Sequence, residues 1–191
     1  MSTDNSVTIY ISAAADLMAE REALARMIAA LPVTLAWRIA QTPISEADLL
    51  DLEALHSADL HFLVMGSDIR APVGLEYLMT RRAHYPVLPY LKRAVLRTPA
   101  AQVFINDMKL VWQTFHDAAD LSRQVRQVLA EHLVRHAAQY ALTPDEVVAL
   151  DKLSMSDASK EQVSHGQEAG RSAVILSRER FEPSGGVIVD E

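Results

Sequence analysis

The side chains that could do chemistry gather in two short stretches. One runs from Gly66 to Glu76 and holds Asp68, Arg70 and Glu76; the other follows a β-rich run ending at Ile11 and holds Ser12 and Asp16. Asp68 can bind sugar hydroxyls or assist as a base, and Arg70 can hold a phosphate. As loop residues they also fit an ordinary solvated pair. Ser12 and Asp16 stand at a helix start, where they can meet a sugar or phosphate or simply cap the helix. Glu76 falls about one turn into a helix opening near Pro72, a place the helix dipole favours for any acid. Tyr10 lies on the first strand, able to line a pocket and better suited to burial.

Other chemistries find less support. The chain has no cysteine, which excludes disulfides, thiolate catalysis and zinc–cysteine sites. His132 and His136 are four apart on a long helix, but Glu131 precedes them and the HExxH order is absent. No metal site is expected, and no nucleophile elbow, Walker loop or dinucleotide fingerprint occurs. Trp37 and Trp112 read as core residues rather than stacking platforms. Glu20, Arg21, Arg81 and Arg82 read as solvated helix faces.

The elements that must position these residues follow from periodicity. Val7–Ile11 reads as strand one and Asp16–Leu31 as a helix, with Leu17, Leu24, Ile28 and Leu31 on one face. Val33–Ala40 is strand two, and Ser45 caps a helix to about His56. Leu60–Met65 is apolar enough for a strand buried on both faces, and Pro72 opens the next helix. Val87–Leu91 is strand four, where Pro89 implies an irregularity or an edge. Gln102–Ile105 is expected as strand five, followed by a long helix over Ala118–Tyr140. Thr143 and Glu146 form a capping box for a short helix to about Leu153.

This alternation predicts an α/β fold: an open, mainly parallel five-stranded sheet in flavodoxin-like order 2-1-3-4-5, with helices on both faces. The switch point then lies between strands one and three. There the loop Ser12–Asp16 faces Gly66–Glu76 across a crevice, which is where chemistry is expected. Residues 1–142 form this domain. The chain carries 18 basic and 25 acidic residues, and the excess is uneven: 13 against 15 up to Ala141, 5 against 10 beyond it. Residues 143–191 are therefore expected as a short helix, a polar linker and an acidic tail with β-like runs at Ala173–Leu176 and Val187–Val189. The acidic balance argues against nucleic-acid binding. Without a membrane span or a basic leader the expected location is the cytoplasm.

Several of these segments also resemble a known family. Ile9–Ser12, Asp16–Leu17 and Glu20–Arg21 resemble the opening of a TIR-like domain found at the N-terminus of bacterial signalling and defence proteins. That domain is grouped with the nucleoside 2-deoxyribosyltransferase and TIR superfamily. Ala58–Asp59 before an apolar strand, Gly66, Gly74–Tyr77 and Pro86–Leu88 form a second signature, and Phe115–Leu121 resembles the start of the family's last helix. The likeness spans roughly Val7 to Leu133. Pro72–Glu76 is also similar to the segment that carries the catalytic carboxylate in 2-deoxynucleoside 5-phosphate N-hydrolases.

What the resemblance implies is a nucleotide-binding domain that hydrolyses an N-glycosidic bond, in NAD or a nucleoside monophosphate, within bacterial signalling or defence. Glu76 would be the essential carboxylate, because positive charge builds at the anomeric carbon as the bond breaks. Asp68 would assist it. Tyr10, Ser12, Asp16 and Gly66, with Ser67, Arg70 and Gly74, would meet the substrate. NAD enters only as a possible substrate, and no cofactor is expected. A homo-oligomer is implied as well. The alternative is a non-catalytic sensor or protein-interaction module of the same fold, with the tail docking on a partner. Ser12-Ala13-Ala14-Ala15 favours that alternative, since phosphate-binding relatives usually carry glycine in this loop.

Overall fold

The computed structural model describes residues 6–45 and 48–154. Five strands form one all-parallel sheet: β1 (Ser6–Ala13), β2 (Ala36–Gln41), β3 (Leu60–Met65), β4 (Val87–Lys92) and β5 (Gln113–Phe115), in the order β2-β1-β3-β4-β5. This is the flavodoxin-like order expected from the alternation. The crossovers are helical: α1 (Met18–Ala29) after a 3-10 turn over Ala15–Leu17, α2 (Leu52–His56), α3 (Ala71–Arg82) and α4 (Pro99–Met108); α5 (Ala118–Arg135) follows β5.

Residue alternation sorts the side chains between two layers. Val7, Ile9, Ile11, Phe62 and Val64 point to one face, where they share a core with Leu24 and Ile28 of α1 and Leu121, Val125, Leu129 and Leu133 of α5. The α5 residues recur every four positions and are all fully buried, so that stripe keeps α5 on the sheet. Asp117 caps its N-terminus, accepting from the N–H groups of Ala119 and Asp120. The opposite face carries Leu63 against Val73 and Tyr77 of α3, and Tyr10 against Ala54 and Leu55 of α2.

Three expected elements differ. Residues 102–105 are not a strand but lie inside α4, because Pro99 sits in its first turn and the Thr98 hydroxyl caps it by accepting from Ala101 N–H. The fifth strand is the short Gln113–Phe115 instead, and it pairs β4 only over Tyr90–Lys92. Pro89 thus stands where one side of β4 is still an open edge. The helix expected from Ser45 is only Leu52–His56, capped by Asp51, with Leu49 at 92% exposure. The long helix ends at Arg135 rather than Tyr140. Ala141 then takes a left-handed conformation with φ 50°.

Residues 144–154 are helical. Thr143 and Glu146 make the expected reciprocal cap, and the second Glu146 oxygen accepts from Thr34 N–H and Oγ1. Those bonds draw the Glu146 carboxyl down to about 2. Leu150 is fully buried in the α1–α5 core, so the body continues through the composition step at Thr143. The β-like runs at Ala173–Leu176 and Val187–Val189 lie outside the described residues. Among the described residues no helix is long and apolar enough to cross a membrane.

Candidate functional site

The sheet brings Tyr10 and Ser12 of β1 and His61 of β3 to the α3 face, because Tyr10 and His61 are register partners and Ser12 is two residues on. Thr42 follows β2 directly, beside the end of β1. One turn into α3, Glu76 meets Tyr10, Ser12 and Thr42 directly, and His61 through Ser12. Its Oε1 accepts from Tyr10 Oη at 2.8 Å; its Oε2 lies 2.6 Å from Ser12 Oγ and accepts from Thr42 Oγ1 at 2.6 Å. Ser12 Oγ also lies 2.7 Å from His61 Nε2, and Thr80, one turn further along α3, places its hydroxyl 3.1 Å from His61 Nδ1.

The cluster is dry. Glu76, Ser12 and Tyr10 have no exposed surface, and Thr42, His61 and Thr80 are buried. Burial raises the Glu76 carboxyl above its usual range, against the opposing pull of the three hydroxyls and of Arg21. Burial likewise pushes His61 down to about 4 and Tyr10 far up, the latter with help from Glu76. Arg21 lies at 4% exposure and donates to Gln41 Oε1, Ala13 O and Thr42 O. It therefore fastens the end of β1 to that of β2. Glu20 is equally buried and is paired with Lys92 at 2.6 Å. The solvated face expected for Glu20 and Arg21 is thus corrected: both turn inward at the carboxyl end of the sheet, where an Arg can satisfy exposed strand carbonyls.

The facing loops do meet. Asp16 Oδ2 accepts from Ser67 N–H at 2.9 Å and from Ser67 Oγ at 2.6 Å. Gly66 permits this approach, since a Cβ there would lie 2.6 Å from Asp16 Oδ2. Asp16 therefore latches two loops and does not cap the helix. Asp68 is spent on a neighbouring joint: its Oδ1 accepts from Thr98 Oγ1 at 2.7 Å and from Ile69 N–H at 2.8 Å. Arg70 precedes α3 with an exposed side chain.

A cleft of about 200 Å³ opens beside the buried cluster, lined by Ala14, Thr42, Ile44, Arg70, Pro72 and Val73. Glu76 does not line it; Thr42 stands between the two, donating to Glu76 while forming part of the wall. A second, more open groove of about 550 Å³ runs between α3 and α4 past Gly74, Val103 and Phe104. Gly74 belongs to that groove, and a Cβ there would meet only Ile69 Cδ1 at 3.9 Å.

Of the candidates, Tyr10, Ser12 and Glu76 come together; Asp16, Gly66 and Ser67 form the latch; Asp68 and Gly74 go elsewhere. Thr42, His61, Thr80 and Arg21 were not expected at the site. His61 carried a signal: it is the one polar residue in an otherwise apolar buried strand, and a buried polar group is the informative exception. Thr42 could have been found from its place after strand two, at the carboxyl end of the strand beside strand one. No protein-family model matches the chain, and no curated protein or solved structure matches it either.

Proposed function

We propose that this domain binds a nucleotide in the cleft between Thr42 and Arg70 and hydrolyses its N-glycosidic bond, with Glu76 as the essential carboxylate. The observation that carries the reading is a buried carboxyl at the switch point, held by three hydroxyls, one of which belongs to Thr42 in the wall of an open cleft. The TIR-like resemblance supports the same assignment, as does the role of switch points in ligand binding. The cleft is smaller than the roughly 300–1,000 Å³ of typical ligand sites. It suits a sugar, with the rest of the nucleotide extending past Arg70. Turning Thr42 aside uncovers Glu76 to the anomeric carbon. The carbon–nitrogen bond then breaks with its electron pair going to the base, the ionised carboxylate meets the positive charge left on the sugar, and water adds at that carbon, its released proton going to the departing nucleobase or, when neutral nicotinamide leaves, to solvent.

A second reading is favoured by the complete burial of Glu76. A carboxyl with both oxygens already bonded also serves to fasten α3 to β1 and β2. The cleft would then be that of a non-catalytic sensor or interaction module in a signalling or defence system. Chromatography of the protein incubated with NAD, and separately with nucleoside monophosphates, separates the two. Release of nicotinamide or base that is lost in Glu76→Gln supports the hydrolase. Calorimetric binding of a nucleotide with no release supports the sensor, and the absence of both binding and release refutes the hydrolase and the nucleotide sensor and favours the interaction module.

A further inference from the structure

We propose that His61 and Glu76 hold one proton in common through the Ser12 hydroxyl, which makes His61 a proton-storing positioning residue of the Glu76 site. The inference follows from counting hydrogens. Tyr10 sends its hydrogen to Oε1. Thr42 accepts from Ala13 N–H and so sends its own to Oε2. With the Thr80 hydrogen on the Glu76 carbonyl at 2.9 Å, a lone pair of Thr80 turns to His61 Nδ1 and pairs with a hydrogen there.

Two contacts remain, Nε2 to Oγ at 2.7 Å and Oγ to Oε2 at 2.6 Å. Both are of hydrogen-bond length, and serine supplies a single hydrogen for the two. A second proton completes the chain, either on Oε2 or on Nε2. With it on Oε2, the carboxylic acid donates to Ser12 and Ser12 donates to a neutral imidazole. The conversion is balanced: the Oε2–H bond breaks as Oγ takes that proton, while the hydroxyl's own hydrogen passes to Nε2. The result is carboxylate and imidazolium, with the same number of protons and the same net charge.

Arg21 on α1 is the charged group that acts on Glu76, and Asp51, ahead of α2, acts on Tyr10. Burial raises Glu76 and lowers His61, which favours the carboxyl over the imidazole as the seat of the shared proton. A ligand carrying positive charge against Oε2 draws the pair to the ionised form with no proton taken from or given to solvent. That use in hydrolysis rests on the function proposed above; the shared proton itself does not.

The test reads the full-length protein without substrate. Nitrogen NMR of ¹⁵N-histidine-labelled protein reports the two His61 ring nitrogens. Infrared difference spectra of wild type against Glu76→Gln report a carboxylic C=O band. Near pH 7, Nδ1 should be protonated, with the carboxylic band present when Nε2 is bare and absent when Nε2 is protonated. In Ser12→Ala the relay is cut, so the band should stand at full intensity with His61 neutral. A bare Nδ1 with protonated Nε2 and no carboxylic band in the wild type overturns the proposal, because the pair then holds no second proton. An imidazolium beside a carboxylic acid also overturns it. The wild-type spectra decide even if Ser12→Ala fails to fold, and a silent release assay leaves them unaffected.

Discussion

Glu76→Gln turns the state of the buried carboxyl into a measurable stability. The amide can keep the bond from Tyr10 at Oε1 and donate to Ser12 from the other position. Only the Thr42 hydroxyl hydrogen loses its acceptor, at a cost of about 1 kcal/mol. The pH dependence carries the argument. Glu76 is raised in the folded protein above its ordinary 4.5, so its protonated form contributes stability that is full below the unfolded value and is lost as pH rises through the folded one. Glutamine has no such contribution. The cost of Glu76→Gln should therefore be greatest near pH 4 and shrink toward pH 7. Urea denaturation followed by circular dichroism at four pH values reads this directly. Glu76→Ala is the reference: it strips the acceptor from Tyr10 and Thr42 and opens a cavity, for roughly 4 kcal/mol or more. That is a large part of the roughly 5–15 kcal/mol that holds a domain together. A Glu76→Gln cost that instead grows with pH, to roughly 3–5 kcal/mol at pH 7, would refute the reasoning. It would show a carboxylate kept ionised by Arg21.

Two further substitutions test the loops around the cleft. Gly66→Ala drives a methyl into Asp16 and should cost about 1–3 kcal/mol; adding Asp16→Ala should recover part of that in urea midpoints, whereas strictly additive costs would show that the methyl does not act on Asp16. Arg70→Ala should leave stability unchanged, since the side chain is exposed, and should weaken nucleotide binding by roughly 10–100-fold in calorimetry, the value of a charge-assisted phosphate contact; unchanged affinity would remove the phosphate from that side of the cleft.

The parts of this molecule legible in its sequence are those with a strong local pattern. β3 is six consecutive buried residues, and its apolar run marks it without ambiguity. α5 announces itself by Leu121, Val125, Leu129 and Leu133. The fifth strand does not, because Gln113–Phe115 is too short and polar to show a period. Val103-Phe104-Ile105 has strong β propensity, yet it lies in α4, where Pro99 and the Thr98 cap outweigh it. The site is split in the same way. Glu76 and Ser12 are found from their loops and the strand order, but their partnership with His61 depends on register between β1 and β3, and that of Thr42 on the exit of β2. Arg21 looks like any helix-surface arginine until three acceptors at the strand ends are seen to need it.

The distribution of polar bonds bears on which part of the site can respond to a ligand. Asp16 is held by two bonds from Ser67, and Asp68 by bonds from Thr98 and Ile69. These joints tie the β1, β3 and β4 loops into one rim. Their carboxylates are engaged in that work, so neither is free to act on a substrate without loosening the rim. Glu76 is different in kind. Its bonds come from hydroxyls, each with a single rotatable hydrogen, and one of those hydroxyls belongs to a side chain that also faces the cleft. Turning Thr42 away breaks its bond to Oε2 and the one it accepts from Ala13 N–H, and leaves Tyr10 and Ser12 in place. A ligand hydroxyl can restore the bond to Oε2, so the net cost is that of the Ala13 bond. The rigid rim and the replaceable Thr42 contact together make Glu76 the carboxylate at this crevice that can meet a ligand while the rim joints remain intact.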